Sequence, residues 1–140
     1  MFLLDTNVVS ELRKRDKGDR NVMAWSSSVS PNDLYLSAIT VMELEIGALR
    51  KARFDPAQGA LLNIWITERV LPQFKGRILP IDEAVALCCA RLHVPDPRSE
   101  RDALIAATAI HHDMTVVTRN TADFERTGVR LFDPWQGHLI

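Results

Sequence analysis

Short apolar segments alternate along this chain with longer segments in which apolar residues recur at helical spacing. The short segments predict strands at 2–5, 34–37, 115–118 and 130–132, with a short strand or sheet edge at 78–81. The longer segments predict helices at 6–13, 20–28, 40–53, 56–74, 82–93 and 99–112, with a turn or short helix at 121–126. Because strands separated by helices are joined by crossovers, we expect them to lie parallel. The pattern predicts an α/β fold, a three-layer α/β/α domain whose central, mainly parallel sheet has four to five strands.

Length and composition fit one globular domain. The chain has 140 residues, of which 46% are hydrophobic and 25% charged, and we expect a single domain over residues 1–140. No apolar run approaches the roughly 18 residues that span a bilayer, and the first residues do not show the pattern of an export leader, so we expect no export. Cys88 and Cys89 are adjacent in an apolar helical segment, so no disulfide framework is expected. These features favour a cytoplasmic protein without a membrane partner.

Four acidic residues stand at equivalent points of the strand–helix pattern. Asp5 ends the first strand and Glu43 follows the second. Asp102 lies at the start of an apolar helix, and Asp123 follows the strand at 115–118. In an open parallel sheet the ligand crevice lies outside the C-terminal ends of the strands. We therefore expect the four carboxylates to meet at that edge.

Two of these acids can be explained as helix caps. The segment from Thr40 to Glu43 matches a Thr-x-x-Glu capping box, in which the Glu side chain holds the helix N-terminus. Asp5 can cap a helix that begins at Thr6. Each explanation is sufficient for its residue alone.

The other two acids also have structural alternatives. Asp102 belongs to a helix that is apolar on nearly all sides, where a carboxylate is costly unless it is paired or bound to a cation. Arg98 or Arg101 can supply that pair. Asp123 can be an exposed acid at a helix start, and Asn120 a turn residue; either can instead contribute an oxygen to a site.

Capping and pairing do not explain why four carboxylates should gather at one sheet edge. Like charges within about 5 Å repel by several kcal/mol, and a hard divalent cation turns that repulsion into binding. All-oxygen ligands suit Mg²⁺ or Mn²⁺. The four histidines are not spaced as zinc ligands; they are His93, His111, His112 and His138. The sequence therefore predicts a Mg²⁺ or Mn²⁺ site among the four acids.

The chemistry that fits such a site is hydrolysis of a phosphodiester by metal-activated water. Neither a Ser-His-Asp or Cys-His arrangement nor a Gly-rich phosphate loop is present in the sequence. The net charge of −1 argues against a general nucleic-acid coat, but eight of the 17 basic residues fall in the stretches 13–20 and 50–53. Such clusters can hold phosphates or be solvated helix ends.

Further polar residues surround the expected site. Hydroxyl and amide groups that can orient a carboxylate or a water belong to Thr6, Asn7, Thr40, Thr118 and Asn120. The candidate contacts for the phosphates of a substrate are Arg13, Lys14, Arg15, Arg50, Lys51 and Arg119.

Four segments resemble the motifs of PIN-domain ribonucleases, and most closely the FitB-like group of VapC toxins from bacterial toxin–antitoxin pairs. The segments are 3–7, 37–44, 102–107 and 117–124, with further similarity at 78–82 and 132–135. The resemblance runs the whole length of the chain and keeps the order of the motifs. It implies a PIN-like fold and a Mg²⁺- or Mn²⁺-dependent endoribonuclease that acts as a toxin.

The resemblance also implies partners and residue roles. The expected partners are RNA, a second copy in a homodimer, and a VapB/FitA-like antitoxin whose C-terminal segment lies over the acidic site, with DNA joining a larger assembly. Asp5, Glu43 and Asp102 become the three core acids and metal ligands, and Asn120 or Asp123 completes the catalytic set. We expect one firmly bound ion and a second that arrives with the RNA.

Two other functions fit parts of the sequence. A PIN-like module that only binds RNA or a partner would be marked by loss of an acid, yet the three core acids are present. A haloacid-dehalogenase-like phosphatase also places an Asp after its first strand, but that chemistry requires a second Asp two positions on, where this chain has Asn7.

Overall fold

The computed structural model describes residues 1–137, so His138, one of the histidines considered above, lies outside the described residues. The strands are β1 Phe2–Leu4, β2 Leu34–Ser37, β3 Ile78–Leu79, β4 Thr115–Val117 and β5 Leu131–Phe132. The helices are α1 Thr6–Arg13, α2 Arg20–Ser28, α3 Ala38–Phe54, α4 Pro56–Trp65, α5 Leu71–Gln73, α6 Glu83–Leu92 and α7 Glu100–His111. A short 3₁₀ turn, Thr121–Phe124, follows β4. No helix within residues 1–137 combines the length and the apolar character needed to cross a bilayer.

The five strands form one sheet in the order β3-β2-β1-β4-β5, and every neighbouring pair is parallel. β1 is central, with Phe2 in register with Leu34 of β2 and with Thr115 of β4. The predicted parallel α/β fold is therefore confirmed. All five strands point the same way, so their C-terminal ends share one edge of the sheet.

Helices cover both faces of the sheet. Adjacent residues of a strand face opposite sides, and Leu3 and Leu4, both fully buried, belong to different apolar clusters. Leu4 packs with residues of α1 and α3, among them Val8 and Leu44. Leu3 packs with residues of α7, among them Ile105. These two cores make the three layers that the sequence predicted.

The start of α3 differs from the prediction. The helix begins at Ala38, two residues earlier than expected, because the Ser37 hydroxyl at the end of β2 accepts a hydrogen bond from the Ile39 N–H (3.0 Å) and caps the helix. Thr40 is therefore inside the first turn and Glu43 inside the second. The proposed capping box between them was wrong, so helix capping does not explain Glu43.

The predicted helix over 56–74 is divided. A π-helical turn, Ile66–Val70, joins α4 to α5. Pro72 in α5 has no N–H with which to continue a regular α-helical ladder. The region lies away from the C-terminal edge of the sheet and does not alter the expected site.

Candidate active site

The four predicted acids, which we call the carboxylate cluster, are Asp5, Glu43, Asp102 and Asp123. Asp5 directly follows β1, and its N–H donates to the Val117 carbonyl of β4 (2.9 Å). Glu43 lies in the second turn of α3, Asp102 in the first turn of α7, and Asp123 in the 3₁₀ turn after β4. Four distant segments thus bring an acid to the same end of the sheet.

Asp5 is the most firmly held member of the cluster, with only 6% of its surface exposed. Its Oδ1 accepts from the Thr6 N–H (2.8 Å), which caps α1 as one interpretation predicted. Its Oδ2 accepts from the Thr118 hydroxyl (2.8 Å) and from Asn7 Nδ2 (3.3 Å). Asp5 is therefore both a helix cap and a buried carboxylate fixed from the neighbouring strand end.

The segments after β1 and β4 are tied together by the residues around Asp5. Asn7 Nδ2 also donates to Thr118 Oγ1 (3.2 Å), and Asn7 Oδ1 accepts from the Arg119 N–H (3.2 Å). Thr118 Oγ1 accepts in addition from the Asn120 N–H (3.0 Å). Thr118 and Asn7 therefore orient Asp5, while Asn120 reaches this network through its backbone.

Glu43 is positioned by two groups from other elements. Its Oε1 accepts from the Thr6 hydroxyl (2.6 Å), and its Oε2 lies 3.8 Å from an Nη atom of Arg101. Thr6 thus contacts both Asp5 and Glu43. The ion pair corrects one alternative from the sequence, in which Arg98 or Arg101 was paired with Asp102.

Arg98 does not pair with Asp102, because its guanidinium is hydrogen-bonded to backbone carbonyls elsewhere. It donates to the backbone carbonyls of Leu92 (2.8 Å) and Glu125 (2.9 Å). Within residues 1–137, no cation is paired with Asp102 at ion-pair distance. Asp102 is therefore a half-buried carboxylate surrounded by other acids.

The acids affect one another electrostatically. Burial raises the pKa of Asp5, hydrogen bonds from Thr118 and Thr6 partly offset that rise, and the charges of Glu43 and Asp123 add to it. Burial, followed by the charges of Asp123, Asp5 and Glu43, raises the pKa of Asp102 to about 6. Beyond the effect of burial, the neighbouring carboxylates thus disfavour ionisation of Asp5 and Asp102, as expected for a cluster that accepts a cation.

The cluster is not assembled around a single point. Within the described part of the chain, no three His, Cys, Asp or Glu side chains lie close enough together to hold one metal ion. Asp5 and Glu43 are linked through Thr6, whereas Asp102 belongs to α7 and Asp123 to the turn after β4. The structure therefore brings the charges together but leaves the ligand oxygens apart.

Thr40 is a buried polar residue with an unsatisfied hydroxyl. It is fully buried in the first turn of α3, and within residues 1–137 its Oγ1 has no hydrogen-bond partner. It lies three residues before Glu43, on a neighbouring part of the same helix face. An unpaired hydroxyl in that position is a group that a bound water can satisfy.

Most of the predicted RNA contacts lie away from the carboxylate cluster. Arg13 and Lys14 are at the far end of α1, and Arg50 and Lys51 are in the last turns of α3. At about 1.5 Å per residue, Arg13 is roughly 12 Å along the helix from Asp5. Arg13 stacks over Trp65 (5.7 Å) and Lys14 pairs with Glu11 (2.9 Å). Arg119 follows Thr118 and its backbone N–H donates to Asn7, but its guanidinium stacks on Trp135 (5.2 Å).

Arg101 was not among the predicted site residues. The sequence carried one signal for it: Arg101 occupies the second position of α7, where the helix dipole disfavours a cation. A basic residue in that position indicates a compensating acid from elsewhere in the fold, here Glu43.

Comparisons with known proteins agree with the fold. Residues 2–129 match the PIN domain family. The chain is 40% identical to toxin FitB of Neisseria gonorrhoeae over 140 residues, covering 96% of this chain and 99% of FitB. It is 38% identical to VapC ribonuclease Y4jK of Sinorhizobium fredii, covering 97% of this chain and 99% of that protein. The solved structure of FitAB bound to an IR36 DNA fragment superposes with a TM-score of 0.83 at 39% identity, covering 100% of this chain and 98% of the matched chain.

Proposed function

The chain belongs to the PIN domain family, and on that premise we propose that it is the toxin of a toxin–antitoxin pair, an endoribonuclease that depends on Mg²⁺ or Mn²⁺. The observation that carries the proposal is the carboxylate cluster itself. Acids from four separate segments lie at one sheet edge, where burial and, after it, the neighbouring carboxylate charges raise the pKa values of Asp5 and Asp102. No structural role of the single residues requires that arrangement.

The donor chemistry of the site fits a hard divalent cation. All four candidate ligands are carboxylates, the type that Mg²⁺ and Mn²⁺ prefer. Because like charges repel, a cation bound between them would draw Asp5, Glu43 and Asp102 together. Asp123, rather than the amide of Asn120, is the fourth acid that we assign, since its charge acts on both Asp5 and Asp102. When bound, the ion activates a water and stabilises charge on the attacking and leaving oxygens of the phosphodiester.

The remaining polar residues hold these acids in place. Thr118 and Asn7 keep Asp5 Oδ2 at the crevice, and Thr6 fixes one oxygen of Glu43 so that the other remains available. Oriented, partly dehydrated carboxylates need less reorganisation to bind a cation than mobile ones. We assign these three residues as positioning residues.

The assignment includes partners and setting. We expect RNA as the substrate, a VapB/FitA-like antitoxin as inhibitor, a homodimer as the assembly, and DNA joining a complex with the antitoxin. We place the protein in the cytoplasm and treat its 140 residues as one domain. The toxin FitB and the DNA-bound FitAB structure are the relatives that support this part of the proposal.

The test is RNA cleavage by the purified chain and its Asp5→Asn variant. We expect the wild-type protein to cut RNA with Mg²⁺ or Mn²⁺ and to lose activity in EDTA, with cut sites mapped by sequencing 5′ ends. D5N should be as inactive as the EDTA-treated protein yet remain folded, because loss of one charge relieves repulsion in the cluster. Asp96→Asn, an exposed acid in the loop between α6 and α7, is the matched control and should cut normally.

Three results would contradict the proposal. Cleavage by D5N at the wild-type rate would exclude Asp5 from the site. RNA binding by wild-type protein without metal-dependent cutting would indicate a binding module. Hydrolysis of a small phosphate monoester without RNA cleavage would indicate a phosphatase.

A further inference from the structure

Arg101 is a loosely held cation at the edge of the carboxylate cluster. We propose that Arg101 binds a phosphate of the RNA. In the metal-free protein its guanidinium is paired with Glu43, and it is released when a divalent cation binds the Glu43 carboxylate. This inference rests on the proposed ribonuclease function and adds a substrate-binding residue to it.

The position of Arg101 is not explained by the needs of its own helix. A cation in the first turn of a helix is opposed by the helix dipole. The Arg101 side chain is 45% exposed, and its one ion pair, to Glu43, spans 3.8 Å, longer than a hydrogen bond. Within residues 1–137, none of its N–H groups donates a hydrogen bond to another residue. Its donors are therefore free to take a further partner.

Other arginines show what a structural guanidinium looks like in this fold. Arg77 donates to the backbone carbonyls of Pro31, Leu34 and Gln73. Arg98 donates to two carbonyls, as described above. Arg101, three residues after Arg98, instead faces the acids without being fixed by them.

Glu43 couples Arg101 to the metal site. One of its oxygens accepts a hydrogen bond from the Thr6 hydroxyl, and the other lies beside Arg101, so a cation that binds this second oxygen meets the charge of Arg101. Two positive charges on one carboxylate oxygen repel each other. Glu43 therefore exchanges Arg101 for the cation, and the released guanidinium, a planar fork of donors, suits a phosphate of the bound strand.

The experiment compares wild-type protein with Arg101→Gln, Arg101→Lys and a control, Arg91→Gln. Arg91 is exposed in the last turn of α6, outside the cluster. Mn²⁺ affinity is measured by titration calorimetry without RNA. RNA affinity is measured by fluorescence anisotropy with a labelled single-stranded RNA in Ca²⁺, at several salt concentrations, with the RNA checked for integrity on a gel.

We expect R101Q to bind Mn²⁺ about three- to tenfold more tightly, because a competing positive charge is gone. The same variant should bind RNA about tenfold more weakly, and the slope of log affinity against log salt should fall by about 0.7, the value for one lost phosphate contact on a single strand. R101K should keep the wild-type Mn²⁺ affinity and salt slope but bind RNA more weakly, since it lacks the fork. R91Q should match wild type in Mn²⁺ affinity, RNA affinity and salt slope.

Each contrary result has a definite meaning. Equal RNA affinity and salt slope in R101Q and R91Q would overturn the phosphate role. Unchanged Mn²⁺ affinity in R101Q would overturn the exchange at Glu43. If the wild-type protein binds Mn²⁺ and RNA and cuts the RNA, these contrary results for R101Q concern the role of Arg101 alone. A wild-type protein that neither binds Mn²⁺ nor cuts RNA refutes the proposed function as well.

Discussion

Asp102 allows the electrostatic description of the site to be tested through stability. The change Asp102→Asn removes one charge and keeps the shape of the side chain. In metal-free buffer at neutral pH, we expect D102N to unfold at a higher temperature than the wild-type protein. The reason is that folding forces the Asp102 carboxylate into a half-buried position beside three other acids.

The size of the effect follows from the pKa. A rise from 3.8 to about 6 corresponds to about 3 kcal/mol at about 1.4 kcal/mol per pH unit. Asp102 is partly exposed, so solvent screening reduces this to about half. Asn also loses about 0.5 kcal/mol of favourable interaction with the α7 dipole. The net gain is about 1 kcal/mol, or about 3–4 °C in Tm for a chain of this size.

The pH dependence has a definite sign. The pKa of Asp102 is higher in the folded protein than in the unfolded chain, so the folded state binds the proton more tightly. The resulting stability is fully present below a pH of about 4 and is lost as the pH rises through about 6. The difference in Tm between D102N and wild type should therefore be largest at neutral pH and should disappear on acidification.

Mg²⁺ should reverse the order of the two proteins. A ligand at 100 times its Kd stabilises the folded state by about 2.7 kcal/mol, more than the about 1 kcal/mol gained by removing the charge. Wild-type protein should therefore exceed D102N in Tm at saturating Mg²⁺. The assay is thermal denaturation followed by circular dichroism across pH, in EDTA and in Mg²⁺, with D96N as the charge-matched control.

The reasoning is refuted if D102N is no more stable than D96N in EDTA at neutral pH, or if Mg²⁺ raises the Tm of D102N and wild type equally. The first result would mean that the charge of Asp102 does not destabilise the folded protein. The second would mean that it is not a metal ligand.

Two further predictions concern positioning and packing. Thr118→Val removes the hydroxyl that donates to Asp5 Oδ2. We expect the rate of RNA cleavage to fall and its pH profile to move to higher pH, because a hydrogen bond that lowers the pKa of Asp5 is lost. An unchanged pH profile would contradict the positioning role of Thr118. Gly59→Ala places a Cβ 2.5 Å from the Ala52 Cα, so α3 and α4 must separate at a cost of about 1–3 kcal/mol in the free energy of unfolding. Gly47→Ala, also helical but with nothing within 4 Å of its Cβ, should instead stabilise by about 0.5–1 kcal/mol; urea unfolding of both variants decides, and equal effects would contradict the close approach.

The fold could be predicted because its pattern is local and repeated. Alternation of strand and helix signals requires only neighbouring residues, and the resemblance to FitB-like VapC toxins, which the comparisons confirm, supplied the order of the motifs. Helix bounds were less certain where two residues could serve as cap. Ser37 and Thr40 both have the chemistry, and the choice depends on where β2 stops pairing, which a local pattern does not contain.

Partners from distant segments could not be predicted in the same way. Arg101 is adjacent to Asp102 in sequence, and the ion pair between them was the simplest local alternative. In the fold, α3 packs near α7, and Glu43 takes the guanidinium instead. Likewise, the hydroxyl of Thr6 was expected to assist a carboxylate, but which one depended on how α1 lies beside α3.

The sequence left open whether Asp5 is a helix cap or a metal ligand, and its burial favours the proposed ligand role. Asp82 caps α6 through the Val85 N–H (2.9 Å) while remaining exposed, so capping alone does not require a buried acid. Asp5 caps α1 through the Thr6 N–H, but it is only 6% exposed and also accepts a hydrogen bond from Thr118, which follows β4. Burying a carboxylate in this way raises its pKa and destabilises the metal-free protein. A chain that needed only a cap would have no reason to bear that cost, which is why we assign the second oxygen of Asp5 to the bound cation.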